Sequence, residues 1–192
     1  MRLNPLREAA LFSINRESVS SYLDVSERPV DGIFREACRN GLTSLPREQR
    51  RGALAGATGH VAESLLELLL EPYGYVPIHH FKGTGGHGVD LLLLTPDTSA
   101  IVALEVKGTL RPGQWPRLSR TEIQQMSAEW VDKADNPGMH EWSLESNDVY
   151  GAVAQVDFSD MVWRIAFTTD FKELRPVVRE AQFADPVAWL GP

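Results

Sequence analysis

Apolar and polar positions change period several times along the chain, and each change marks an element. Over residues 59–71, Val61, Ala62, Leu65, Leu66, Leu68 and Leu69 fill one broad side while Glu63, Glu67 and Glu71 recur every four residues on the other. That spacing predicts an amphipathic helix, ended by Pro72 and Gly74. Residues 75–81 are rich in strand formers, with Pro77 pointing to an edge or a bulge, and a glycine-rich turn follows over 82–88. Two aliphatic runs come next, residues 88–94 and 101–108, joined by a turn at 95–99. After a loop containing Pro112, Gly113 and Pro116, the spacing of Ile123, Met126, Trp130 and Ala134 predicts a helix over 118–134, with Ser119 or Thr121 as its cap. Residues 150–158 and 161–168 read as a hairpin turning at Ser159 and Asp160. Upstream, residues 1–54 mix helical pieces such as 30–40 with turn signals and show no strand-like alternation.

A helix, three strands, a helix and two strands predict an α/β domain over residues 56–192, built on a mixed sheet covered by helices, with a helical N-terminal extension over 1–55. The 192 residues suit one domain with a real core. No apolar run approaches the roughly 18 to 20 residues of a spanning helix, Arg7 and Glu8 interrupt any leader-like start, and the single cysteine, Cys38, fits a reducing compartment. The expectation is a cytoplasmic protein that does not enter a membrane. Charge then narrows the partners: 19 Lys and Arg against 26 Asp and Glu give a net charge of −7, which argues against a broad nonspecific grip on nucleic acid. Between Lys107 and Arg120, however, Arg111 and Arg117 also occur without any carboxylate, and Trp115 sits among them. That stretch is a candidate phosphate-tracking strip.

The two aliphatic runs carry charges where a core strand should have none: Asp90 in the first, Glu105 and Lys107 in the second. An unpaired buried charge costs several kcal/mol, so these groups need a partner, a metal ion or a chemical role. Glu105 and Lys107 are two apart on a strand and share a sheet face, and a meander through 95–99 brings Asp90 toward Glu105. Oxygen ligands so arranged suit Mg²⁺ or Mn²⁺, and a neighbouring lysine can orient a water, which is the equipment of phosphodiester hydrolysis. The competing reading is a structural salt bridge in a catalytically silent binding or scaffold module.

On these residues the chain resembles the PD-(D/E)xK nuclease superfamily, over roughly residues 56–135. Asp90 follows Gly88 and Val89 rather than proline, Glu105-Val106-Lys107 supplies the second part, and Glu63 on the upstream helix precedes the Gly74-Tyr75 strand start. The resemblance implies a restriction-endonuclease-like fold and a metal-dependent endonuclease, with DNA favoured over RNA. It implies that Asp90, Glu105, Val106 and Glu63 form the metal site, that Lys107 assists the nucleophilic water, and that a glutamine on the following helix, Gln124 or Gln125, joins the catalytic group. The stretch from Leu118 to Trp130 is similar to those that follow the active lysine in polymorphic-toxin nuclease domains. A bacterial competition or defence role follows from it, with a neutralising protein or a second copy as partner; a toxin cleaving tRNA or other RNA is the alternative.

Three further features carry less weight. The glycine loop lacks the Gly-Lys-Ser/Thr ending of a phosphate cradle and runs into a strand, so it reads as a turn. His79, His80 and His87 lack ligand spacing and read as surface residues, with His87, three residues from Asp90, as a substrate candidate. Arg111, Trp115, Arg117 and Arg120 are the remaining substrate candidates, with a hydrophobic lid as the other reading of Trp115.

Overall fold

The structure is a computed structural model that describes residues 10–14, 19–20, 23–24, 29–40, 44–48, 52–80, 88–111, 115–118, 125–133 and 136–167. It is an α/β protein. In chain order the regular elements are β1 (Ala10–Ser13), α1 (Pro29–Asn40), α2 (Gly52–Leu70), a single 3₁₀ turn (Glu71–Tyr73), β2 (Val76–His80), β3 (Leu91–Leu94), β4 (Ile101–Thr109), α3 (Ala128–Val131), α4 (Pro137–Glu141), β5 (Val149–Asp157) and β6 (Val162–Phe167). Six strands form one sheet in the order β1-β6-β5-β4-β3-β2. Every neighbouring pair is antiparallel except β4 and β5, so the sheet is mixed as the element order requires. No helix among the described residues is long and apolar enough to cross a membrane.

The centre of the sheet is also the centre of the core. Val61, Ala62, Leu65 and Leu66 of α2 are fully buried and join Leu92, Val102, Leu104, Ala152 and Val156 in one cluster. Each such Leu or Val contributes roughly 1.5 to 3 kcal/mol by leaving water, which makes α2 against β4 the main layer contact of the domain. The helix starts at Gly52, seven residues before the stripe that announces it. Its first turns use small side chains, which carry no hydrophobic period but permit close approach. Gly108 on β4 shows how close: a Cβ there would lie 2.7 Å from the Thr58 carbonyl oxygen and 3.1 Å from Ala62 Cβ. Gly74, in the left-handed region at φ 85°, closes the 3₁₀ turn by donating its N–H to Glu71 O.

Pro77 lies on the edge strand β2, and the β2–β3 register slips between Pro77 and His79. Both edge and bulge are therefore present, because a proline cannot donate to a ladder. Val76 pairs with Leu94 and Leu91 with Leu104, and Thr95 N–H donates to Ala100 O across the connecting turn. The last hairpin turns over residues 158–161, where the Asp157 carboxylate accepts from the N–H groups of Ser159 and Asp160, and Met161 sits at φ 54°.

Three expectations change. The N-terminal segment is not purely helical: β1 forms the sheet edge opposite β2, pairing Ala10 with Ile165 and Ser13 with Val162. Ala-Leu-Phe-Ser has no polar alternation, and it is β6 that supplies the strand's partner groups. A boundary after residue 55 falls inside α2, and Ile14, Val19, Leu23 and Phe34 belong to the same core cluster as the sheet. Phe34 of α1 meets Phe158 edge-on, with ring centroids 4.8 Å apart. Finally, the helix read over 118–134 is confined, among the described residues, to the single turn α3. Residues 115–118 are irregular, and Met126 at φ 63° and Ser127, which caps α3 by accepting from Trp130 N–H, separate α3 from the residues before it. Ser119 and Thr121, read as its caps, lie outside the described residues.

Substituting Gly108 by Ala is expected to destabilise the protein by about 1 to 3 kcal/mol, since the Thr58 backbone must retreat from the new methyl group. Denaturant unfolding measures this; an unchanged midpoint would mean that α2 does not press on β4 at this point.

Candidate active site

The register Leu91↔Leu104 continues one step to set Asp90 opposite Glu105. The link is explicit, because Asp90 Oδ2 accepts a 2.7 Å hydrogen bond from Val106 N–H. A carboxylate thus takes the place of the next strand partner and ties the start of β3 to β4. Lys107, two residues beyond Glu105 on the same face, donates its Nζ to Glu105 Oε1. Gln125, in the turn before α3, donates Nε2 to that same oxygen at 2.5 Å. Glu105 is 2% exposed, and its other oxygen, Oε2, is buried without a hydrogen-bond partner among the described residues.

Electrostatics follow from this crowding. Burial lifts the Asp90 carboxyl above its usual range, and the Val106 N–H, the Lys107 charge and a hydrogen bond with Glu105 pull it back only in part. For Glu105, burial and then the neighbouring Asp90 charge push the carboxyl up to about 8, against the opposing pull of Lys107. Burial alone would lower the Lys107 ammonium, but Glu105, Asp90 and Glu63 together more than offset it, and the net direction is upward. At neutral pH the two acids therefore retain one proton between them while Lys107 stays charged. Asp90, Glu105 and Lys107 taken together are then close to electroneutral.

A buried carboxyl oxygen that meets no cation or amide donor among the described residues could take a cation. Mg²⁺ is usually held by one or two carboxylates, with waters and substrate phosphates filling the other positions, and Asp90 with Glu105 provides that number. The donor set fits a small hard ion. Glu63 reaches Lys107 through its charge, and among the described residues no group of three acidic, histidine or cysteine side chains gathers. Glu63 belongs to the helix layer, and the two acids to facing strands. Val106 takes part through its N–H, its side chain lying in the core.

Of the other sequence candidates, Trp115 is half-buried and stacks against Arg164, while Arg111 and Arg117 are exposed. His87, Gln124 and Arg120 lie outside the described residues, as do residues 82–87 of the glycine loop. His79 is not a surface residue: its side chain is 14% exposed, its Nδ1 meets Glu141 Oε2 at 2.9 Å, and its ring leaves no room for a Cβ on Gly138.

Sequence reading missed Asn136. Buried between two segments, it donates Nδ2 to Val131 O and accepts at Oδ1 from Val89 N–H, so the end of α3 and the residue before Asp90 are pinned together. A Cβ on Gly88 would lie 3.1 Å from Asn136 Oδ1. The signal available was Asn before Pro137, a turn marker with nothing to reveal a distant partner. Gln155 and Arg164 were missed for the same reason.

Because the folded protein holds the Glu105 proton far above the ordinary carboxyl range near 4.5, that group's stabilisation is complete below about pH 4.5 and is lost as pH rises through about 8. Chelator-treated protein is therefore expected to melt at falling temperature between pH 5 and 9, and Glu105→Gln to flatten that slope. Equal slopes in both proteins would contradict the assignment of the proton to this site. No family model matches the chain, and neither the curated proteins nor the solved structures give a match.

Proposed function

We propose that the protein is a metal-dependent endonuclease that hydrolyses phosphodiester bonds, with DNA the favoured polymer, on a restriction-endonuclease-like version of its mixed sheet. The observation that carries this reading is the convergence of Asp90, Glu105, Lys107 and Gln125 around a buried carboxyl group, one oxygen of which meets no cation or amide donor among the described residues. Here Lys107 and Gln125 crowd onto Oε1, and among the described residues no cation or amide donor reaches Oε2, which leaves that side of the carboxyl only the proton that Glu105 and Asp90 hold between them.

Each side chain has a task in the reaction. Asp90 and Glu105 would hold Mg²⁺ or Mn²⁺, which when bound offsets the charge that builds on the phosphoryl oxygens and makes water easier to deprotonate. Gln125 fixes the Glu105 head group through Oε1, so that Oε2 keeps its direction. Val106 N–H does the same for Asp90. Lys107, kept as an ammonium by the acids around it, orients the attacking water and faces the developing negative charge as the water oxygen adds to phosphorus, the ester P–O bond breaks and the proton that water gives up ends, through solvent, on the leaving oxygen. Glu63 holds that ammonium charged from the helix side. A role in bacterial competition or defence accords with the sequence after Lys107, and the same chemistry would serve an RNA-cleaving toxin.

The direct Lys107–Glu105 pair favours one other reading, a catalytically silent module in which the two groups simply neutralise each other. Incubation with plasmid, single-stranded DNA and tRNA, with and without Mg²⁺, separates these alternatives. Cleavage that depends on Mg²⁺ is expected, reduced roughly a hundredfold or more in Asp90→Asn and Lys107→Ala with the far-ultraviolet spectrum unchanged. Absence of cleavage on every substrate supports the silent module, and full activity in either variant removes the proposed mechanism.

A further inference from the structure

The sheet face that carries Lys107 continues across two more strands. Lys107 pairs with Gln155 on β5, and Gln155 pairs with Arg164 on β6, so the three side chains leave the same face in a row. Two strand spacings separate Lys107 from Arg164, about 10 Å between backbones. Gln155 is 1% exposed, and both ends of its amide are committed: Nε2 donates to Pro116 O, and Oε1 accepts from Arg164 Nε at 2.5 Å. The Arg164 guanidinium lies over the Trp115 ring, 4.1 Å from its centroid. A buried amide and an aromatic face thus hold the plane of the guanidinium, while its two terminal nitrogens meet no acceptor among the described residues.

Among the described residues this cation has no counter-ion. Arg164 is partly buried, and burial alone acts on its ionisation, downward, with no carboxylate opposing it. In a chain with a net charge of −7, an arginine partly withdrawn from water and aimed by Gln155, with no acidic partner among the described residues, is placed to take an anion from outside. A fixed guanidinium fork matches the geometry of a phosphate better than any other group the chain offers.

Resting on the nuclease reading of the Asp90–Glu105 site, we infer that Arg164, oriented by Gln155 and Trp115, binds a backbone phosphate of the polynucleotide a short distance from the bond that is cut. The row Lys107, Gln155, Arg164 then sets the path of the strand over the sheet. An acidic protein grips its substrate with a few fixed cations on one face, not with overall charge.

The test is fluorescence anisotropy of a fluorescein-labelled, mixed-sequence single-stranded DNA oligonucleotide, in EDTA so that binding is read without cleavage. Arg164→Gln is expected to weaken binding about tenfold and to reduce the slope of log K against log salt by about one. Arg164→Lys, which keeps the charge but loses the planar fork, is expected to fall between, and guards against a folding defect in the first variant. Arg39→Gln, exposed on α1, removes the same charge elsewhere and is expected to leave binding unchanged. In Mg²⁺-dependent cleavage the Arg164→Gln defect is expected mainly in KM. Wild-type protein that cleaves DNA while Arg164→Gln binds as tightly as wild type overturns the inference and leaves the nuclease reading intact. Arg164-dependent binding without any cleavage keeps the phosphate site and removes the nuclease. Failure of the wild type to bind, or displacement of the oligonucleotide by equimolar inorganic phosphate, also overturns the polynucleotide assignment.

Discussion

Two carboxyl groups facing each other across a β-ladder, at the point where a strand pair would otherwise be purely aliphatic, are the constraint around which this domain is organised. Asp90 and Glu105 cannot both lose their protons in so dry a place, and a lysine on the same face only partly relieves them. A fold that merely needed stability would fill these positions with Leu or Val, as it does in the flanking residues Leu91 and Leu104. The cost is retained and the surroundings serve it. Asn136 pins Val89, Val106 N–H holds Asp90, Gln125 holds Glu105, and Gly108 lets α2 settle on β4.

Those supports differ in how far they could be read from the chain. The pairing of Asp90 with Glu105 was legible, because a short turn between two aliphatic runs fixes an antiparallel register, and an i, i+2 spacing fixes the shared face of Glu105 and Lys107. Pro77 announced an edge strand and a bulge for a local reason, its missing N–H. Gln125 was found, but its setting was not: the apolar period around Met126 and Trp130 reads as one helix, while Met126 at positive φ and the Ser127 cap interrupt it. β1, Asn136 and Arg164 left no trace, because each is defined by a partner far away in sequence. Arg164 lies 57 positions from Lys107 in the chain and two strands from it in the sheet.

Charge distribution connects the two functional proposals. On these proposals Asp90 and Glu105 would attract a cation, and Lys107 and Arg164 on the same face would attract phosphate. A polyanion and a divalent ion therefore favour each other's binding, each offsetting charge that would repel the other. With a net charge of −7, the rest of the surface does little to draw in nucleic acid. Selection among substrates is thereby left to the geometry of one sheet face, where a buried amide and a tryptophan fix the direction of Arg164.

The account stands or falls on whether the acid pair exchanges its proton for a metal ion. Calorimetric titration of Mg²⁺ into chelator-treated protein, repeated at neutral pH in buffers of different ionisation enthalpy, reads cation binding and proton release together. Saturable binding that releases close to one proton, and that disappears in Asp90→Asn, is the result this account requires. A flat titration at millimolar Mg²⁺, or binding with no proton released, would contradict it.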